Sequence, residues 1–383
     1  MTAWVVWISF GILAYHYLLY PMLVISLVRI APNRQTNNTR LNGELPRVSL
    51  IVAAYNEEKV IARKIENSLA LNYPRELLQL IVVSDGSTDG TSAIVRQYSR
   101  QGVVSMHEPA RRGKTAALNR SVPAASGDIV LFSDANNDYN PDAVRALVGH
   151  FDDPSVGGVC GIKRIREARD RESSEGDSLY WRYESAIKLA ESKLGSITNG
   201  DGEIFAVRRL LYQPMDETVI NDDAELTLQI VQKGYRVLYE PHAESYEYAS
   251  IDIRDDFYVK VRMVAGGFQT IARHASFLLP PRSWFTLAFF SHKVLRWTAP
   301  LFLIVMLGTC LALAAAPLYA AFLAMQLGFY GLATAGWLMR GRAHLPMIIY
   351  VPFYFCAMNT AAFFGLLRYL RRNQQVQWQK AKR

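Results

Sequence analysis

Acidic side chains stand at the ends of two predicted strands in the middle of the chain. Asp85 closes the apolar run LQLIVVSD and enters the turn DGSTDGT, whose backbone N–H groups can face a nucleotide. Asp134 closes the run DIVLFSD, and with Asn136 it forms an i, i+2 pair of oxygen ligands that suits a hard divalent cation shared with substrate phosphates. A plain β-turn at Asp85 and an Asx turn before Pro141 explain the same residues equally well. Both interpretations stay open.

A second acidic pair begins a predicted helix. Asp222 and Asp223 open the segment DDAELTLQIVQ, in which Leu226 and Ile230 belong to one apolar face. The positive end of the helix dipole favours an ionised carboxylate, so Asp223 is expected to be charged at neutral pH and ready to take a proton as a general base. Helix capping, which aspartate commonly provides, is the alternative.

Basic residues supply groups that an anionic substrate would contact. Lys114 follows Gly113 at the start of a predicted helix, where a lysine is electrostatically unfavourable unless an anion lies there. That position favours a phosphate contact. Lys260 and Arg262 precede a pair of glycines beside the C-terminal apolar region. They suit a diphosphate or lipid headgroups, or they simply flank the membrane.

These residues need a scaffold that brings strand ends together, and the pattern of residues 47–250 predicts one. Strand-like runs such as RVSLIVAAY alternate with helical patterns, which indicates a mostly parallel sheet covered by helices. In such sheets ligands bind beyond the carboxyl ends of the strands, where Asp85 and Asp134 fall. After the first strand, Asn56 is predicted to cap a helix whose first turn holds Glu57.

The two ends of the chain are apolar enough to lie in a membrane. Residues 3–30 are predicted to be an uncleaved spanning anchor within a first unit of residues 1–30, and a polar linker follows at 31–46. Residues 251–296 are predicted to lie at the membrane interface, with Ser283–Val294 as a short interfacial helix. Residues 297–383 are expected to hold spans near 297–315, 318–339 and 345–367 and a basic tail.

The chain carries a net charge of +8, and much of the excess lies beside the apolar segments. Arg29 and Arg34 follow the anchor, and by the positive-inside rule they place the central domain in the cytoplasm. With the C-terminal spans, the chain is predicted to be a multi-pass protein of the inner, cytoplasmic membrane. Four spans would place the basic tail outside, against the same rule, and the sequence leaves this conflict open. No nucleic-acid-binding motif is present, and the cysteines Cys160, Cys310 and Cys356 have no metal-binding spacing.

In their order along residues 47–296, these segments resemble glycosyltransferase family 2, the inverting enzymes with the GT-A nucleotide-binding fold. The likeness is closest to the membrane-integrated branch, which includes cellulose, chitin, hyaluronan and poly-N-acetylglucosamine synthases and related exopolysaccharide transferases. The resemblance implies an α/β fold class. It consists of a GT-A domain with a mostly parallel central sheet, joined to α-helical transmembrane segments at both ends.

The resemblance also implies a role for each matching residue. Asp223, the last residue of the triplet NDD, corresponds to the catalytic base. Asp134 and Asn136 correspond to the metal pair, which implies a divalent cation, Mg²⁺ or Mn²⁺, as the cofactor. The donor site is implied at Ala54, Tyr55, Glu57, Asp85, Lys114, Asn119 and Asp134. The diphosphate and acceptor side is implied at Asp222, Gly200, Asp201, Lys260, Arg262 and Gln269.

Two departures from the family pattern bear on activity. Asn136 stands where an aspartate is usual, which removes one negative charge from the metal pair, and Asp138 is expected to compensate. The processive synthases carry Gln-x-x-Arg-Trp after the base, whereas GGFQTIARH here keeps only Gln269. Non-processive transfer is therefore expected.

The resemblance thus implies a metal-dependent hexosyltransferase of polysaccharide or glycolipid biosynthesis. It would move a sugar, with inversion, from a UDP-sugar to a hydroxyl of a lipid-linked or growing saccharide acceptor. The expected partners are the nucleotide-sugar donor, the acceptor and the lipid bilayer, without nucleic acid, and no oligomeric state is predicted. The alternatives are a processive synthase that extrudes its product and a nucleotide- or lipid-binding membrane receptor. A transporter is disfavoured because the C-terminal spans hold almost no charge.

Overall fold

The computed structural model describes residues 2–30, 44–166, 173–248, 253–339 and 345–372. Most of the predicted linker, including Arg34, lies outside the described residues, and so does the predicted basic tail after residue 372. The helices of the described part are α1 Thr2–Ala14, α2 Tyr20–Ile30, α3 Ile61–Leu69, α4 Thr91–Gln97, α5 Lys114–Ser121, α6 Ala143–Val148, α7 Ser173–Leu194, α8 Asp222–Gln232, α9 Ile253–Arg273, α10 Ala275–Leu278, α11 Trp284–Phe289, α12 Leu295–Ala312, α13 Pro317–Leu338 and α14 Met347–Leu370.

One sheet organises the middle of the chain. Its order is β3-β2-β1-β4-β7-β6-β8-β5, and four of the seven pairings among the described strands are parallel. The predicted α/β fold with a mostly parallel sheet is therefore confirmed. The strands are β1 Val48–Ala54, β2 Leu78–Asp85, β3 Val103–Glu108, β4 Ile129–Asp134, β5 Asn137–Tyr139, β6 Val156–Arg166, β7 Phe205–Arg208 and β8 Arg236–Tyr248.

The central strand β1 shows why the predicted strands appear in the sequence as continuous apolar runs. Every residue of β1 is buried, because helices cover both faces of the sheet. Leu50 and Val52 face a core shared with α3, α4 and α6, whereas Ile51 and Ala53 face a second core shared with α5 and α8. The parallel register aligns the strand ends, so that Ala53 of β1 lies beside Asp134 of β4.

Within the residues that the structure describes, four helices are long and apolar enough to cross a membrane. A turn of π-helix at Tyr15–Leu19 joins α1 to α2, and another at Phe290–Val294 joins α11 to α12. The four candidate spans are therefore Ala3–Ile30, Trp284–Ala312, Pro317–Leu338 and Met347–Leu370.

The segment predicted as a separate interfacial helix, Ser283–Val294, differs in the structure. It runs without a break into α12, and its His292 and Lys293 are buried. The carboxylate of Glu184 on α7 accepts a hydrogen bond from Lys293 Nζ at 2.7 Å. Charges that interrupted the apolar pattern are thus neutralised inside the protein, which the sequence alone did not reveal.

The predicted N-terminal anchor also contacts the central domain. Helix α1 packs against α12, whereas α2 packs against α7. The buried hydroxyl of Tyr20 donates to Glu191 Oε1 at 2.7 Å. The α2 part of the predicted anchor therefore packs against α7 and buries part of its surface.

Candidate active site

The loops that follow β1 and β2 hold each other in place. Asn56 has a positive φ of 52°, and helix α3 begins only at Ile61, so the predicted helix cap at Asn56 is wrong. Its side chain instead accepts from the neighbouring loop. The bonds between the two loops are Thr88 N to Asn56 Oδ1 (2.8 Å), Asn56 N to Ser87 Oγ (3.0 Å), Glu57 N to Thr91 Oγ1 (2.7 Å) and Gly90 N to Glu58 Oε2 (2.9 Å).

Tyr55 lies at the edge of these loops, next to the end of β1 at Ala54. The guanidinium of Arg111 stands over the Tyr55 ring, 3.6 Å from its centroid. Gly86 makes this approach possible, because a Cβ there would lie 2.6 Å from Cβ of Arg111 and its φ is +70°. The ring of Tyr55, which was predicted to line the donor site, therefore contacts the guanidinium cation of Arg111.

Asp85 is almost fully buried, with 1% of its surface exposed. Its Oδ2 accepts from the backbone N–H groups of Arg112 (3.0 Å) and Gly113 (2.6 Å), and Oδ1 lies 3.4 Å from Arg120. The carboxylate thus fixes the loop that leads to Lys114. Its predicted contact with a nucleotide base stays a prediction.

Lys114 is the cation around which the predicted site residues meet. Its Nζ lies 2.7 Å from Asp134 Oδ1 and 3.6 Å from Asp222 Oδ2, and it donates to Gly202 O at 3.2 Å. Burial alone would lower the pKa of Lys114, but the carboxylates of Asp134 and Asp222 outweigh it and raise the pKa above its usual value. The anion that this helix start contacts in the structure is therefore a pair of protein carboxylates.

Asp223 occupies the first turn of α8, as predicted from its position in the sequence. Ala224 N donates to its Oδ1 at 2.8 Å, and Asn199 Nδ2 lies 3.4 Å from its Oδ2. Burial and the nearby charges of Asp222 and Asp201 raise the pKa of Asp223 to about 6, although Lys114 opposes this shift. The carboxylate is therefore mostly ionised at neutral pH, with a pKa close to that of an effective general base.

A cavity of about 500 Å³ opens beside Asp223 and extends to the apolar helices α12 and α14. Lys260, which was predicted on the acceptor side, lies on its wall. Lys293 and Arg296 line it too, and the motifs did not find them. The signal that could have found them is the pair of basic residues inside the apolar stretch SHKVLRW, since buried charge in such a segment has to be matched by a partner.

Comparison with known proteins identifies the central part of the chain. Residues 49–215 match the model of the family described as glycosyl transferase family 2. These residues form a glycosyltransferase family 2 domain. The sheet and helices around it are the GT-A fold that the sequence resemblance implied.

Curated relatives extend this match along the chain. The chain is 31% identical over 221 residues to a probable glycosyltransferase, YdaM, of Bacillus subtilis, which covers 53% of this chain and 51% of the relative. It is 28% identical over 240 residues to the poly-β-1,6-N-acetyl-D-glucosamine synthase of Staphylococcus aureus, and this alignment covers 60% of this chain and 57% of the relative. The chain thus spans about half the length of the curated relatives it matches.

A solved structure matches nearly the whole chain. The mannosyltransferase PcManGT of Pyrobaculum calidifontis, solved in complex with GDP-Man and Mn²⁺, superposes with a TM-score of 0.74 at 25% identity. The superposition covers 97% of this chain and 100% of that one, so it includes the apolar helices at both ends.

The site around Lys114 has a donor set that fits a metal ion shared with a substrate. Carboxylates of Asp134 and Asp222 both point to the Lys114 ammonium, and Asn136 Nδ2 donates to Glu247 Oε1 at 2.9 Å, which leaves the amide oxygen to act as a ligand. In the part of the chain that is described, no three His, Cys, Asp or Glu residues are placed to hold a metal by themselves. This set suits Mg²⁺ or Mn²⁺ completed by diphosphate and water, and does not suit a closed protein cage.

Asp138, predicted to compensate for Asn136, is already engaged. Its carboxylate forms an ion pair with Arg63 at 3.3 Å. Asn137, between them in sequence, is fully buried and accepts from Lys64 Nζ at 2.7 Å. The buried pair of Asn137 and Lys64 supports the loop that carries Asp134 and Asn136, and the sequence motif did not indicate this pair.

The other predicted residues hold the loops around the domain's site. The Asn119 side chain bonds to Tyr212 and Met215, and that of Gln269 bonds to Thr218 and Ile220. Lys188 Nζ donates to Asp201 Oδ2 at 2.8 Å, and Gly200 N donates to Thr227 Oγ1 at 3.0 Å. Arg262 is largely buried; burial lowers its pKa, while the charges of Asp222 and Asp223 oppose that shift.

Proposed function

We propose that this chain is a membrane-bound inverting glycosyltransferase that moves a sugar from a nucleotide-sugar donor to an acceptor hydroxyl. The observation that carries the proposal is the meeting of Lys114, Asp134 and Asp222 at the strand ends, one residue away from Asp223 and its cavity. A donor diphosphate at Lys114 and an acceptor at Asp223 would then lie on the two sides of one reacting carbon. The family 2 match of residues 49–215 supports the same reaction class.

In this proposal Asp223 takes the proton of the acceptor hydroxyl as the acceptor oxygen forms its bond to the anomeric carbon. The bond from that carbon to the diphosphate oxygen breaks on the opposite face, and its electron pair leaves with the nucleoside diphosphate. Lys114, aided by Arg262, stabilises the charge that develops on the leaving oxygen. One attack from the opposite face inverts the anomeric centre.

A divalent cation, Mg²⁺ or Mn²⁺, would be held by Asp134 and Asn136 and would neutralise the diphosphate charge when bound. Lys114 contacts the same Asp134 carboxylate, so the lysine and the cation would share one anionic centre. The domain would face the cytoplasm of a cell whose inner membrane holds the four apolar helices. The Pyrobaculum mannosyltransferase with its GDP-Man and Mn²⁺ supports a nucleotide sugar and a metal, whereas our sequence prediction of a UDP-sugar rests on the family resemblance alone.

A processive polysaccharide synthase is the second candidate, because relatives from Staphylococcus aureus are named poly-β-1,6-N-acetyl-D-glucosamine synthases. The absence of Arg-Trp at the family spacing after Gln269 favours single additions. In this chain the Gln269 amide bonds to the loop before α8. The length of the product on a gel separates the two candidates, since a processive enzyme yields long chains before the acceptor is used up.

The proposal is tested with the full chain in lipid nanodiscs and a panel of UDP- and GDP-sugars, by measuring nucleoside diphosphate release. Asp223→Asn is expected to lower turnover by about 10²–10⁴-fold, because it removes the general base without changing side-chain size. The donor affinity of this variant should stay within about threefold of the original, since the base does not contact the donor diphosphate.

Asp152→Asn is the matched control, since Asp152 is an exposed carboxylate on another turn. It should retain full turnover. Near-normal transfer by a folded Asp223→Asn protein would show that the base is another residue. Nucleotide binding without any release of nucleoside diphosphate would favour a receptor over an enzyme.

A further inference from the structure

Two cavities adjoin between the family 2 domain and the apolar helices. The first, of about 500 Å³, runs from Asp223 to α12 and α14. The second, of about 800 Å³, lies among α12, α13 and α14. Phe355, Met358 and Asn359 of α14 line both cavities, so the two spaces meet at this point. Their volumes are those of sites that hold a small molecule.

The two cavities have different linings. The first contains Asp223 together with the cations Lys260, Lys293 and Arg296. The second is lined mainly by aliphatic and aromatic side chains such as Leu303, Leu307 and Phe353, and no charged residue lines it among those described. A molecule that occupied both spaces would therefore have a polar end near Asp223 and a long apolar part between the membrane helices.

The charge of the first cavity selects the kind of polar end. Arg296 and Lys293 both contact the Glu184 carboxylate, at 2.6 and 2.7 Å. Burial disfavours a charged carboxylate, but these two cations hold the pKa of Glu184 well below its usual range. Among the described residues that line the first cavity, Lys260, Lys293 and Arg296 are cations and Asp223 is a carboxylate. A basic pocket at the end of membrane helices is the usual binding place of a phosphate-bearing headgroup.

Resting on the proposed transferase function, we propose that the acceptor is a lipid-linked saccharide whose lipid carries a phosphate or diphosphate. The phosphate would contact Lys260, Lys293 and Arg296, and the hydrocarbon chain would occupy the cavity among α12, α13 and α14. The saccharide hydroxyl would then reach Asp223, which takes its proton while the hydroxyl oxygen bonds to the donor carbon and the nucleoside diphosphate leaves. A neutral growing polysaccharide needs neither the cations nor an apolar cavity.

The charge requirement is tested with two synthetic acceptors that share an undecyl chain and one sugar. In one, a diphosphate joins the two parts, and in the other, a neutral glycosidic bond does. The full chain in nanodiscs should use the diphosphate acceptor at least about tenfold more efficiently. Lys260→Gln should raise the KM for that acceptor about tenfold, since it removes one charge-assisted contact, and leave the KM values for the neutral acceptor and the donor unchanged.

The apolar cavity is tested by filling it. Thr334 lies on α13 and lines the second cavity, so Thr334→Trp should lower transfer to the undecyl diphosphate acceptor about tenfold and spare a butyl version. Leu332→Trp on the same helix is the control, because Leu332 is exposed and does not line the cavity. Leu332→Trp should leave the rates of transfer to both the undecyl and the butyl acceptor unchanged.

The outcomes separate this inference from the proposed function. Equal use of the neutral and diphosphate acceptors, or equal effects of Lys260→Gln on both, would overturn the phosphate contact. Asp223-dependent donor cleavage with transfer to neither lipid acceptor, or only to soluble oligosaccharides, would overturn the lipid acceptor and leave the transferase standing. Failure to bind or cleave any donor would contradict the transferase itself.

Discussion

The proposed donor side and the proposed acceptor side of this site are built in different ways. On the donor side, the groups follow strand ends directly, and neighbouring loops bind them with backbone hydrogen bonds, as Asp85 binds the N–H groups of Arg112 and Gly113. On the acceptor side, the cavity wall combines Asn199 with residues of α9, α12 and α14, which are distant in sequence. Local sequence motifs therefore indicate the residues of the proposed donor side, whereas those of the proposed acceptor side come together only through tertiary packing.

This difference has a physical origin. A loop that approaches a nucleotide must fix its backbone closely, so it needs particular glycine, aspartate and asparagine residues at short spacing. A wall that contacts a sugar and a lipid needs volume and charge, which many residue types on many helices supply. We expect substitutions on the donor side to change the chemical step most. Those on the acceptor side should act through packing.

The largest effect that separates the two sides is expected for Lys114→Met. Its ammonium is the cation that Asp134 and Asp222 share, so the variant loses stabilisation of the leaving diphosphate, which should lower kcat/KM by about 10²–10³-fold. Lys114 also opposes the upward pKa shift of Asp223. In the original chain, activity should fall as pH drops through about 6, because the base becomes protonated, and in Lys114→Met this midpoint should move to higher pH.

The measurement is kcat/KM from pH 5 to 9 for the nucleotide sugar that the original chain uses. Lys59→Met is the control, since Lys59 is an exposed lysine in the loop after β1. It removes the same charge and should keep both the rate and the midpoint. An unchanged midpoint in Lys114→Met would mean that the acidic limb belongs to another group.

The positions of Asp85 and Asp134 in the fold could be predicted from the sequence for an identifiable reason. Strands β1, β2 and β4 are buried on both faces, so they appear as continuous apolar runs, and their parallel register brings Asp85 and Asp134 to one edge. Asp223 was placed correctly because its carboxylate begins a helix with a clear apolar face. These features depend on neighbours along the chain.

What the sequence could not predict depends on partners far away. The apparent interruption at His292 and Lys293 vanishes once Glu184 and Glu191 of α7 are seen to bind them. Burial and the charges of Asp222 and Asp201 raise the pKa of Asp223, and of these causes the helix-start pattern contains only Asp222. Such pairings follow from the packing of elements that are distant in sequence, which a motif does not encode.

An intermediate effect is expected on the acceptor side for Gly266→Ala. Helix α9 passes so close to the start of α8 that a Cβ at Gly266 would lie 2.6 Å from Asn221 Oδ1 and 2.8 Å from Ile220 Cγ2. The Asn221 amide is held by its bond to Met263 O, so it has little room to move. We expect a loss of about 1–3 kcal/mol in the free energy of unfolding and slower transfer, because the segment before Asp223 shifts.

Thermal unfolding in nanodiscs and turnover at saturating donor measure both effects. Gly308→Ala is the matched control, since Gly308 lies in α12 with nothing within 4 Å of its added Cβ. There the alanine should be neutral or stabilise by up to about 1 kcal/mol, as expected for a helix interior. Equal unfolding temperatures for the two variants would mean that α9 and α8 adjust to each other freely.

The smallest effect is expected for Glu217→Gln, and it decides what holds the donor loop. Glu217 forms an ion pair with Arg112 at 2.5 Å, but the two side chains are 40% and 52% exposed, so the pair should contribute no more than about 0.5 kcal/mol. Asp85→Asn affects the same loop from inside, where a buried carboxylate accepts two backbone N–H groups, and should cost about 1–3 kcal/mol. Donor KM and unfolding temperature should therefore change little in the first variant and clearly in the second. If the two variants weaken donor binding equally, the exposed ion pair would be as important as the buried carboxylate, and the donor side would not be fixed by its backbone bonds.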